Sequence, residues 1–84
     1  MATQRISLVG DWQLVHTATT NDTSIIFTPR VNSVNWAIAT SIPGASFAGH
    51  MADSGEDREV FLEDGESFYV NGSESREFYV TITE

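Results

Sequence analysis

An 84-residue chain with twelve acidic residues, four arginines, no lysine and no cysteine can hold one small core at most, without a disulfide to brace it. His16 and His50 stand too far apart in sequence to seed a zinc-type ligand set, which leaves self-association as the usual supplement for so small a core. The formal charge of −8 disfavours direct binding to nucleic-acid phosphate, which relies on cations, and fits either solubility or a basic protein partner.

The charge is local. Residues 1–52 are neutral, whereas ten acids face two arginines from Asp53 onward. The opening MATQRISLVGDW has no apolar run of the length a secretory leader or membrane span needs, so a product soluble where it is made is expected, with the first few residues as a flexible arm. Asn21-Asp22-Thr23 and Asn71-Gly72-Ser73 match a glycosylation pattern but, without a secretory route, mean only turns.

In chain order, short apolar alternations recur between Gly, Pro, Asn and Asp, and none sustains helical spacing. Arg5 to Val9 is the first predicted strand, with Ile6 and Leu8 on one face. Trp12 to Ala18 is the second, setting Trp12, Leu14, His16 and Ala18 against Gln13, Val15 and Thr17. TTNDTS follows as a loop, and Ser24 to Thr28 is a third strand stopped by Pro29, whose missing N–H marks an edge or an end. Val31 to Thr40 is the longest candidate. It places Val34, Trp36, Ile38 and Thr40 on one side and Ser33, Asn35, Ala37 and Ala39 on the other, where small side chains invite close approach by another element.

SIPGAS predicts a type II turn centred on Pro43-Gly44. Ala45 to Met51, with Phe47 and Met51 in phase, reads as a weak strand or an irregular loop. Beyond the acidic ADSGEDRE, Val60 and Leu62 point together in Glu59 to Leu62. A tight hairpin at Asp64-Gly65 would oppose Glu63 to Glu66, so LEDGES is expected to be a wider corner, able to carry the chain between sheets. Phe68 and Val70 alternate in the next run, and Phe78, Val80 and Ile82 in the last. Joined by 71–77 as a hairpin, they would set Val70 opposite Phe78 and Phe68 opposite Val80, leaving Tyr69, Tyr79, Thr81 and Thr83 on a shared outer face.

The expectation is an all-β fold: one small antiparallel β-sandwich over residues 1–84, jelly-roll-like or immunoglobulin-like, of about seven short strands, with a small barrel as the other closed solution. Its interior should hold Trp36, Ile38, Phe68, Val70, Phe78, Val80 and Ile82.

Chemistry is sparse. Ser46 near His50 has the spacing G-x-S-x-x-G, not that of a nucleophile elbow, and no α/β framework surrounds it. His50 reads as a turn residue or strand end, and His16 as a satisfied semi-buried histidine. The carboxylate pairs of DSGED and EDGE read as solvated loops. Asp53, Glu56 and Asp57 could offer calcium hard oxygen ligands, but the twelve-position EF-hand pattern is absent. No catalytic residue, cofactor or metal is assigned, and an enzyme is not expected. Cross-strand tyrosines are common ladder stabilisers, yet tyrosine is also enriched in interfaces. In so small a domain the interface reading is preferred, with Phe61, Tyr69, Tyr79 and Thr81 as candidate partner contacts.

Over about residues 31–84, the order of Trp36, Pro43, Gly49-His50, Gly65-Glu66, Phe68-Tyr69-Val70 and Val80 to Glu84 resembles small all-β virion proteins of tailed bacteriophages. The resemblance implies a structural protein of the virion, decorating or cementing the capsid or serving as a head or tail accessory. It implies symmetric contacts with copies of itself, a trimer foremost, and with a major capsid or other virion protein, after synthesis in soluble form in the host cytoplasm. It implies no enzyme activity and carries over no catalytic residue, while the charge argues against direct nucleic-acid binding and the lack of a long apolar run against a membrane. The competing class is an acidic host-takeover or DNA-mimic inhibitor that binds a basic host protein.

Overall fold

Phe78, Val80 and Ile82 alternate with Tyr79, Thr81 and Thr83, and the backbone follows that period of two. In the computed structural model, which describes residues 3–29, 34–44, 49–51, 55, 57–72 and 77–84, this run is β8 (Glu77–Thr83). Phe78 and Val80 in it have no solvent exposure. The preceding strands are β1 (Thr3–Ser7), β2 (Gln13–Thr17), β3 (Thr23–Pro29), β4 (Asn35–Ala39), β5 (His50–Met51), β6 (Arg58–Leu62) and β7 (Ser67–Asn71). The described residues contain no helix, hence none long and apolar enough to cross a membrane.

The strands form two four-stranded antiparallel sheets, in the orders β1-β8-β3-β6 and β2-β7-β4-β5. Strands 1 and 8, 2 and 7, 3 and 6, and 4 and 5 pair as one long antiparallel ribbon, and the ribbon is rolled so that β3 also meets β8 and β4 also meets β7. That is the order of a jelly roll rather than of an immunoglobulin sandwich.

Side chains from both sheets fill one core. Leu8, Ile25, Phe27, Val34, Trp36, Val60, Leu62, Phe68, Val70, Phe78 and Val80 belong to it, and Ile38 and Ile82 pack against it. All seven residues expected inside therefore turn inward. Phe27 is the hub, its ring 5.1 Å from that of Phe68, 5.5 Å from Phe78 and 5.6 Å edge-on from Trp36. Burying a side chain of this size stabilises by roughly 1.5–3 kcal/mol before ordering costs. The radius of gyration, 11.7 Å, matches the value of about 12 Å for a compact chain of this length.

The corner at LEDGES does carry the chain from one sheet to the other, since β6 and β7 lie in different sheets. Gly65 takes φ +90, the Glu66 N–H donates to the Glu63 carbonyl at 3.0 Å, and the Gly65 N–H donates to the Ala18 carbonyl at 3.0 Å. Pro29 closes β3 as an end rather than an edge, because β3 lies between β8 and β6. Ala37 is covered, as its small size suggested, by Trp12 and Tyr69.

The eight strands among the described residues agree with the expected number of about seven. Three expectations are corrected. The terminal hairpin does not form: β7 pairs with β2 and β4, and β8 with β1 and β3. Phe68 and Phe78 instead stack across the core at 6.4 Å. Two runs that bury the same phase can sit side by side or face each other, and the residues linking them are enough to cross the ~10 Å between packed sheets. In β2 the register shifts between Leu14 and His16, so the extra residue breaks the alternation. Val15 packs on the core while Leu14 is 55% exposed. Gly44 does not take the positive φ that a type II turn at Pro43-Gly44 requires.

Candidate interaction surface

The outer face of the sheet β1-β8-β3-β6 follows from its register. Thr83, Ser24 and Phe61 stand in one cross-strand row; Thr3, Thr81, Ile26 and Glu59 in the next; Arg5, Tyr79 and Thr28 in a third. Phe61 lies diagonally from Ile26, and Ile26 diagonally from Tyr79, a separation of about 7–8 Å that large side chains span. Phe61 is 69% exposed and Ile26 41%, while Tyr79 and Thr81 are half-buried. Three of the four predicted contact residues therefore share one face, together with an isoleucine outside the predicted set. The doublet Ile25-Ile26 carried the missed signal: in a strand whose Ile25 is buried, its neighbour must point out.

Tyr69 is corrected. It sits on the outer side of the other sheet, opposite Leu14 on one flank and Ala37 on the other. Trp12, Ala37 and Tyr69 form a small separate cluster there, and Tyr69 is buried. A phenol covered by its own chain cannot act jointly with Tyr79 on the opposite face of the molecule.

Short polar contacts hold the first face. The Thr3 and Thr81 hydroxyls are 2.7 Å apart, the Thr28 hydroxyl donates to Asp57, and Arg5 Nε lies 3.1 Å from Glu77. The last pair is well solvated and contributes ~1 kcal/mol or less. β6 lies at the sheet's rim and is flanked by carboxylates. Asp57, Glu59 and Glu63 are all exposed, and among the described residues neither Glu59 nor Glu63 is in an ion pair.

The residues considered for chemistry lie elsewhere. Ser46, Asp53 and Glu56 fall outside the described residues, as does Phe47. The His50 ring packs tilted against Trp36, ring centres 4.5 Å apart, and the Arg58 guanidinium lies 6.0 Å from the Trp36 ring. Among the described residues no group of three His, Asp or Glu could hold a metal ion. His16 is half-buried and its Nε2 lies 3.0 Å from Glu84 Oε1. That oxygen also accepts from the Thr19 N–H and hydroxyl, each at 3.0 Å, and from the Thr23 hydroxyl at 3.4 Å. The Thr19 N–H first, and then His16, hold the Glu84 carboxyl down to about 2. This clamp ties the end of β8 to β2 and the β2–β3 turn; its geometry is structural.

Comparison with family models, with curated proteins and with solved structures returns no match for this chain. The class of protein defined by the fold is a small jelly-roll β-sandwich with one aromatic-bearing, acid-edged outer face.

Proposed function

We propose that this protein is a bacteriophage virion structural component that decorates or cements the capsid, or serves as a head or tail accessory, by symmetric protein–protein contacts. It acts by binding rather than by catalysis. The observation that carries the reading is Phe61, an aromatic side chain left in water beside Ile26 and Tyr79 on a sheet face. Aromatic anchors of this kind concentrate binding energy when a partner covers them. The resemblance to phage virion proteins supplies the location, and the small core supplies a reason to assemble. Symmetry then multiplies weak individual contacts against a repetitive shell.

Mass spectrometry of purified particles tests the location: the polypeptide is expected in many copies per particle, and its absence rejects the reading. Size-exclusion chromatography with light scattering tests the mode, with trimers or larger closed assemblies expected. A stable monomer that binds a basic host protein with steep salt dependence would instead establish the acidic-inhibitor class.

A further inference from the structure

We propose that the open edge of β6 is a docking strand for an extended, cationic segment of a partner protein, which adds to the sheet as a fifth strand. The proposal rests on reading the outer face of this sheet as a contact surface, and names the chemistry that meets it. β6 is the terminal strand of its sheet. Among the described residues no hydrogen bond reaches the backbone of residues 58–62 from that side. An edge strand presents alternate N–H and C=O groups to whatever lies beside it, and an added strand satisfies them.

The side chains select the occupant. Glu59 and Phe61 project from the outer face, with Asp57 before them and Glu63 after, all exposed. A second copy of this chain fits badly. Antiparallel self-pairing centred on Glu59 sets Glu59 against Glu59; centring on Val60 sets Asp57 against Glu63; centring on Phe61 sets Glu59 against Glu63. Like charges directly opposed destabilise a ladder. A strand with Lys or Arg at alternate positions has the opposite outcome at every one of these registers. It pairs with Glu59 and Glu63 and lays an aliphatic stem and a cation on Phe61. The chain contains no lysine and a charge of −8, so the same field draws such a segment in from a distance.

The test uses the full chain, isotopically labelled, and a ten-residue synthetic peptide alternating lysine and threonine, with a glutamate–threonine peptide as control. Saturation with the lysine peptide is expected to slow exchange of the outward amides within 58–62 by about tenfold or more. Binding should weaken with salt and fall about tenfold or more in Glu59→Lys/Glu63→Lys, whose exposed positions leave the fold intact by circular dichroism. No binding, shifts spread over the acidic surface without protection of β6, protection at the β1, β2 or β5 edges instead, or equal binding of the glutamate peptide would each overturn the proposal. Phe61→Ser in the light-scattering measurement separates the two readings. Loss of assembly in that variant, with no peptide bound to the wild type, retains the contact face and removes the docking strand.

Discussion

Gly49 sits at φ +69, and a Cβ built on it would lie 2.7 Å from the Trp36 carbonyl oxygen and 2.8 Å from a ring carbon of Trp12. The backbone therefore passes through a gap that Trp36, in the main core, and Trp12, in the small outer cluster, close from two sides. Gly49→Ala is expected to destabilise by about 2 kcal/mol or more, from the left-handed conformation together with the collision. Gly65→Ala, at φ +90 but with open space around it, should cost only the conformational part, about 1 kcal/mol. Urea midpoints of the two variants measure the difference, and equal losses would remove the steric argument. At Glu84 the folded carboxyl lies near 2, below its ordinary 4.5. Its stabilisation is thus full above 4.5 and is lost as pH falls toward 2. The stability gap between wild type and Glu84→Gln should accordingly be widest near neutrality and narrow progressively in acid; a gap that widens in acid would contradict the clamp.

At the scale of the strand, the bulge in β2 decides which of two adjacent residues matters. Val15→Ala is expected to cost about 1–2 kcal/mol, because Val15 packs on the core, whereas Leu14→Ser should stay within about 0.5 kcal/mol. Strict alternation counted back from Ala18, which lies in the core, gives the reverse order, so denaturant unfolding of the two variants tests the register shift directly. The pattern was readable in β4, β7 and β8, where one face is core and a one-residue slip would put Trp36, Phe68 or Val80 into water. Strand partners were not readable there, since phase records only which way a side chain points and not whether its neighbour stands beside it or across the interior. That ambiguity separated Tyr69 from Tyr79. Phe61, Tyr79 and Thr81 were legible as outward residues because each stands between two apolar residues that belong to the core or pack against it. The Glu84 clamp was not, since its donors lie 61 to 68 residues away in the chain and single Thr and His residues carry no period.

The molecule as a whole is a ribbon folded between its own ends, with Thr3 paired to Thr81 and the chain's middle turning at β4 and β5. Closing β1 on β8 must pay the loop entropy of nearly the entire chain before either strand is buried, and such non-local sheets fold in milliseconds to seconds. Stopped-flow refolding followed by the fluorescence of Trp12 and Trp36, one in each cluster, is expected to give a single exponential in that range; microsecond folding would not fit this topology.

Assembly adds the last term at this scale. If the outer face of the β1-β8-β3-β6 sheet binds other copies, the native state is stabilised by mass action, and the melting temperature of the wild type must rise with protein concentration. The carboxylates along β6 argue that this contact avoids the strand's open edge and uses the part of the face that β3 and β8 build beside Phe61, where Ser24, Thr28, Thr81 and Thr83 surround Ile26 and Tyr79. Phe61→Ser should then abolish the concentration dependence while leaving the dilute melting temperature nearly unchanged, because a side chain 69% exposed in the protomer contributes little to its own fold. A wild-type melting temperature independent of concentration would place the protein's contacts entirely with other partners.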